Sequence, residues 1–369
     1  MNMSDPSPWR DAARMRALLD RISATVTRPW GVMEVCGGQT WTLSRYRLEE
    51  MLPEDLTMIH GPGCPVCVTP ASTIDMAVSL AMRPDVIMCS FGDMLRVPGT
   101  DGSLLRAKAA GGDVRLLYSP LEALRIAADN PGRQVVFLAI GFETTAPVYA
   151  LMAEKARECG VGNLSLLTSL FTVPAAVRAI KADKECRVDA LLAAGHVCAV
   201  TGIAPYRRLA VELGMPVVVT GFEPVDMLLG ILRAAEMLER GETGVANAYG
   251  RVVAENGSVA ARDAVTRVFE PADSEWRGIG SIPSGGMKLR PDFELFDARK
   301  RFDFSDCSVT SVHPHECAGE GCIAHLIMKG LRRPADCRHF GSRCTPSAPV
   351  GAPMVSSEGV CAAHYRYCL

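Results

Sequence analysis

Residues 134–145 read QVVFLAIGFETT. From Val135 to Ile140 every position is apolar, so a strand here has no polar face to offer water. Strands of this kind are buried on both sides, as in parallel sheets covered by helices. Gly141 then makes a turn, acidic and hydroxyl residues follow, and helix-compatible sequence comes next. The same grammar recurs in GVMEVCGGQT (31–40), DVIMCSFGDM (85–94) and MPVVVTGFEPVD (215–226). Between these blocks, LEALRIAADN, the run around Val148–Cys159 and VDMLLGILRAAEMLERG carry helical periodicity. Residues 9–27 add an amphipathic helix with Met15, Leu18, Leu19 and Ile22 on one face. The expected fold class is therefore α/β, with functional residues at the C-terminal ends of the strands. GFETT (141–145) and GFEPVD (221–226) are alike enough to be equivalent corners, although four short matches establish no repeat.

The chain has 369 residues, enough for two or three domains. Its 39 Lys and Arg against 41 Asp and Glu give a net charge of −2, which removes the electrostatic case for a nucleic-acid binder. MNMSDPSPWRDAARMRALLDRI (1–22) lacks the basic start and apolar stretch of a signal peptide. The longest uncharged run, Ala190 to Tyr206, falls short of the roughly 20 apolar residues that span a bilayer. No membrane contact is expected, and the compartment read from this is the cytoplasm, where thiols stay reduced. Fourteen cysteines there point to metal binding or thiol chemistry. From about Glu270 the texture becomes loop-rich, and six of the fourteen cysteines lie between 317 and 369. The expected division is 1–128, an N-terminal helix and first α/β lobe; 129–245, a second lobe; and 246–369, a cysteine-rich C-terminal domain.

Within that tail, Cys322, Cys337, Cys344 and Cys361 have 14, 6 and 16 residues between them, with Cys317 and Cys368 flanking. Four thiolates suit a zinc site or an iron–sulfur cluster, and the lack of tight C-x-x-C knuckles tilts the reading toward iron–sulfur. Cys64-Pro65-Val66-Cys67 has the spacing of a dithiol redox pair or half a metal site. Gly61-Pro62-Gly63 before it is read as a tight turn that exposes both sulfurs. Cys36 ends a strand and precedes Gly37-Gly38, a position expected to lower its pKa and favour thiolate. The glycines match neither a dinucleotide fingerprint nor a P-loop, so NAD and a Walker-type ATPase are set aside. Glu143, Thr144, Thr145, Glu223 and Asp226 sit at two other turns, where solvated loop acids are as common as functional ones. His196 beside Cys198 reads as a core or loop histidine, and Cys89, Cys159, Cys186 and Cys307 read as packing.

VCGGQT, GPGCPVC, SFGDMLRVPG, AIGFETTAP, AGHVC, TGFEPVD, SGGMKLR and CTPSAPVGAPMVSSEGVCAAHYRY follow one another from about Val32 to Tyr367. In this order they resemble the signature blocks of the HypD family of nickel–iron hydrogenase maturation factors. The resemblance implies two Rossmann-like parallel-sheet lobes plus a small C-terminal domain with a 4Fe-4S cluster. It implies a scaffold that, with a HypC-type small chaperone, holds an iron ion while it gains two cyanides and one carbon monoxide. Cyanide would come from a HypE-type thiocyanate carrier, and the finished group would pass to the hydrogenase large subunit. By position, Cys36 resembles the ligand of the transient iron and Cys64 and Cys67 the redox pair. Cys322, Cys337, Cys344 and Cys361 resemble the cluster ligands, and Glu143, Thr144 and Thr145 would line the same crevice.

This chain departs from the family pattern in places. Gln39 and Trp41 replace the two histidines of the usual CGGHTH, leaving His60 or His196 to serve in their stead. Pro353 fills a cysteine position, and Cys322-Ile323-Ala324-His325 replaces the usual C-x-C-G. The alternative reading is a stand-alone thiol–disulfide oxidoreductase that uses Cys64 and Cys67, with structural zinc in the tail.

Overall fold

The computed structural model describes residues 7–100, 102–305 and 321–368. Within these residues, eleven strands form two sheets. β1 (Trp30–Glu34), β2 (Leu56–His60), β7 (Ala190–Ala194), β8 (Pro216–Thr220) and β9 (Gly244–Asn247) make the first, ordered β2-β1-β7-β8-β9. Every neighbouring pair in it is parallel. β3 (Val86–Ser90), β4 (Val114–Leu116), β5 (Gln134–Gly141), β6 (Leu164–Phe171), β10 (Phe269–Trp276) and β11 (Gly280–Leu289) make the second, ordered β10-β11-β6-β5-β3-β4. It is parallel from β6 to β4 and carries the antiparallel β10–β11 hairpin on its β6 edge.

Alternate side chains of the central strands enter different cores, which is why these strands are apolar throughout. In β5, Val136, Leu138 and Ile140 join a central cluster, whereas Val135, Phe137 and Ala139 face an outer one. In β7, Leu191 and Ala193 join the same central cluster, and Ala190 and Leu192 face the outer layer of the first sheet. The molecule is thus an α/β protein of two Rossmann-like lobes that share a central apolar layer.

The lobes interleave in sequence. The first sheet takes strands from 30–60 and 190–247, and the second takes 86–171 and 269–289. Neither 1–128 nor 129–245 therefore holds one sheet, because β1 closes its free edge on β7 rather than on the strands that follow it. The hairpin 269–289, expected in a C-terminal domain, completes the second sheet instead. It reads as loop because one face is wet: β10 alternates buried ends with exposed Pro271, Asp273 and Glu275. Residues 321–368 form short helices and turns around a small apolar cluster of Ile327, Met354, Val360 and Ala362 with Cys344 and Cys361. Their last helix, Val360–Tyr367, packs on the helix Gly37–Arg45, with Tyr367 edge-on to Trp41 at 6.0 Å.

The N-terminal helix α1 (Ala12–Thr25) starts at Asp11, whose side chain accepts the Arg14 N–H, and lays Leu18 and Ile22 against the outer core of the first sheet. That core also takes Val225, Leu228 and Ile231 from the helix Pro224–Glu239. GFEPVD is a capping device here. Glu223 and Asp226 form a capping box, and buried Asp226 takes Arg251 in a two-pronged pair at 2.6 Å for each bond. Arg251 is itself exposed and rests on Trp9 and Tyr249, so Asp226→Ala removes mainly the cap and the pair. It should lower unfolding free energy by about 1–2 kcal/mol, measured by urea denaturation.

Candidate functional site

The chain leaves β1 at Cys36, which is the N-cap of α2 (Gly37–Arg45) in extended conformation. After β2, Gly61 donates to the Glu34 carbonyl at 2.8 Å, Gly63 donates to the Gly61 carbonyl at 2.8 Å, and Gly37 donates to the Gly63 carbonyl at 3.2 Å. This folds the GPG turn onto the CGG turn. A Cβ on Gly63 would collide with the backbone of Val35 and Cys36, so this close approach requires glycine. Cys64 then caps the one-turn helix α3 (Pro65–Val68), its sulfur accepting the Cys67 N–H at 3.3 Å, and Cys64 and Cys67 are joined as a disulfide. The pair borders a small crevice with Gly37, Thr40, Pro353 and Glu358. Glu358, in the C-terminal block, also presses on Gly37.

Two expectations are corrected here. The glycine turn does not expose the sulfurs: Cys64 is 4% and Cys67 3% exposed, because the turn packs inward on Cys36 and the C-terminal segment covers it. The helix N-terminus does not lower the Cys36 pKa. Burial first, and then the charge of Glu34, push the thiol up to about 12, against the pull of the Gly38 and Gln39 N–H groups.

Facing the Cys36 sulfur is His196, its two ring nitrogens at 3.7 and 3.9 Å. The exposed ring stacks on Phe222 with centroids 4.9 Å apart. AGHVC, GFEPVD and CGGQT therefore meet at one corner, and His196 is more than a packed histidine. Gln39, in a family histidine position, is fully buried, and neither amide atom has a hydrogen-bond partner. Trp41 turns away to Tyr367 and the Arg45 guanidinium.

Glu34 was not singled out by its sequence, although an acid inside an apolar strand was a usable signal. It is fully buried and accepts the Cys36 N–H at 2.8 Å, His60 Nδ1–H at 2.8 Å and the Thr40 hydroxyl. His60 also meets Glu49 at 3.0 Å. Burial acts to discharge the His60 ring, but Glu49 and Glu34 outweigh it and hold the imidazolium up to about 10.

GFETT lies at the end of β5 in the other lobe. Glu143 accepts the Val173 N–H at 3.0 Å, its second oxygen is buried without a partner, and burial pushes its pKa up to about 7. The Thr145 hydroxyl donates to the Phe142 carbonyl at 3.1 Å, and Thr144 is half-buried. These three do not border the crevice of Cys64 and Cys67. Burial first, with the nearby Glu143 charge adding to it, raises the pKa values of Cys198 and Tyr206.

In the tail, Cys344 accepts the Val350 N–H at 3.3 Å and shares an apolar cluster with Cys361. The sulfur of Cys322 lies against Gly351, next to that amide. Cys337 is half-buried. The sulfurs of Cys322 and Cys344 thus lie at the Val350–Gly351 turn. Among the described residues, however, no three His, Cys, Asp or Glu side chains converge as a metal site. Cys307 and Cys317 lie outside the described residues. Cys89 is packed in β3, Cys186 is half-buried, and Cys159 is exposed, contrary to its reading as packing, because it follows the end of a surface helix.

A sequence profile described as "HypD: Hydrogenase formation hypA family" matches residues 13–368. The chain belongs to the HypD family. Hydrogenase maturation factor HypD2 of Bradyrhizobium diazoefficiens is 45% identical over 375 residues, covering 100% of this chain and 97% of that protein. HypD of Rhodobacter capsulatus is 42% identical, covering 99% and 98% respectively. HypD of Escherichia coli is 42% identical, covering 96% and 93%. Among the described residues no helix is long and apolar enough to cross a membrane.

The raised His60 pKa has a pH consequence. The folded ring keeps its proton up to about 10, whereas a free imidazole loses it near 6.5. The stabilisation from His60 is therefore complete below about pH 6.5 and lost as pH rises toward about 10. Urea denaturation across pH 6 to 10 should show this decline in the parent and a flatter profile in His60→Gln.

Proposed function

We propose that this chain is the scaffold on which the iron–dicyano–carbonyl group of nickel–iron hydrogenases is assembled. The observation that carries the reading is the seating of the GPGCPVC turn on the Cys36 backbone, which sets one free thiol beside one two-electron dithiol–disulfide pair. Iron is the cargo. Cys36 supplies a soft ligand to it, and His196, 3.7 Å from the sulfur, supplies an imidazole where the usual family histidines are replaced.

Cyanide delivery from a thiocyanate is a reduction. Two electrons and two protons leave the Cys64–Cys67 dithiol as the disulfide forms. They break the S–C bond of the carrier's thiocyanate, giving a carrier thiol and hydrogen cyanide, or cyanide and a proton. The disulfide form is then the product state, and a two-electron reductant resets it. A small HypC-type chaperone, a HypE-type thiocyanate carrier and, indirectly, the hydrogenase large subunit are the partners this chemistry calls for, in the cytoplasm.

The C-terminal thiols Cys322, Cys337, Cys344 and Cys361 are proposed to hold a 4Fe-4S cluster, on their soft donor chemistry and on the placement of the Cys322 and Cys344 sulfurs at one turn.

Two experiments test this. In cells deleted for their own HypD, Cys36→Ala and Cys67→Ser should each reduce nickel–iron hydrogenase activity to background while far-UV circular dichroism is unchanged; intact activity would sink the reading. In anaerobically purified protein, Cys344→Ala and Cys361→Ala should lose most of the iron and acid-labile sulfide that Cys159→Ala retains. Equal contents in all three would remove the cluster assignment.

A further inference from the structure

The polar chain behind Cys36 has a role that the proposed chemistry does not use. β1 and β2 pair in register Glu34↔His60, so the sheet itself sets the imidazole beside the carboxylate. Glu34 holds the turn on one side through the Cys36 N–H and the Thr40 hydroxyl, and His60 on the other through Nδ1. Nε2 of His60 meets Glu49, so both ring nitrogens face carboxylates and both act as donors. His60 is nine-tenths buried, and it lines, with Glu49, a cleft of about 1170 Å³ beside β2.

We propose that His60 is a positioning residue for Cys36. A fully buried carboxylate oxygen that loses its hydrogen-bond donor turns toward water or draws water in. Paired with His60, Glu34 stays where its second oxygen fixes the Cys36 amide. It also orders the Thr40 hydroxyl at the crevice of Cys64 and Cys67. The thiol is then presented in one geometry, with His196 opposite. The inference rests on the reading of Cys36 as the iron ligand, but the contact it names is independent of that reading.

Two near-isosteric variants separate the two arms of the imidazole. His60→Asn places an amide N–H near Nδ1 and keeps the Glu34 bond alone. His60→Gln places one near Nε2 and keeps the Glu49 bond alone. Both remove the charge, so their difference reports the Glu34 link. The readout is the rate of Cys36 alkylation by iodoacetamide in the folded full-length protein, followed by peptide mass spectrometry, beside hydrogenase maturation in deleted cells. His60→Gln should alkylate about tenfold faster, a change of about 1.4 kcal/mol, and mature hydrogenase poorly. His60→Asn should stay close to the parent in both. Equal behaviour of the two variants, fast or slow, overturns the proposal. If neither folds, Glu34→Gln serves: unchanged Cys36 alkylation there overturns it too. Should Cys36→Ala still mature hydrogenase, the iron-ligand reading fails while the alkylation contrast decides the positioning role separately.

Discussion

The backbone of Gly63 lies directly on that of Val35 and Cys36, leaving no room for even a Cβ. From this contact follow the placement of the Cys64–Cys67 pair beside Cys36, the Gly37-to-Gly63 hydrogen bond and the narrow crevice between the two turns. The parallel pairing of β1 and β2 makes the contact possible, since it brings two consecutive C-terminal strand ends to the same edge of one sheet. A third wall comes from far along the chain, where Glu358 abuts Gly37 and the last helix packs on α2. The site is therefore an assembly of close backbone approaches, and glycine is concentrated where backbones meet.

The strand grammar was legible because parallel strands buried on both faces must be apolar at every position, and Val135 to Ile140 satisfies that literally. Which strand pairs with which was not legible. Nothing in the local pattern of GVMEV says that its second neighbour lies at 190–194, and the serial division into lobes fails for that reason. The β10–β11 hairpin was hidden by its own role as a sheet edge, where one wet face breaks the apolar run and Pro271 is tolerated.

At the site, Cys36, Cys64 and Cys67 announce themselves by residue type and spacing, but their electrostatics come from the fold. The helix N-terminus is a weak local effect, worth about 0.3–1 kcal/mol at an exposed site. Desolvation and the nearby charge of Glu34 oppose it at Cys36 and win, since its thiol ends well above a free cysteine. The link from Glu34 to His60 spans 26 residues of sequence and is set by strand register alone. His196 likewise reaches Cys36, and Phe222 backs it, only because β7 lies beside β1 and β8 beside β7.

The raised Cys36 pKa resolves a conflict built into this arrangement. A free thiol beside a disulfide invites exchange, and exchange requires the thiolate. With its thiol pKa pushed up by burial, Cys36 holds little thiolate at neutral pH, which disfavours exchange with its neighbour. A metal ion changes that balance, because ligation replaces the proton and makes the sulfur an anionic ligand whatever its free pKa. On the proposed reading, burial keeps Cys36 slow in thiol exchange while leaving it free to ligate the transient iron. A surface cysteine with a lowered pKa, as the helix N-terminus alone would suggest, would make the opposite choice.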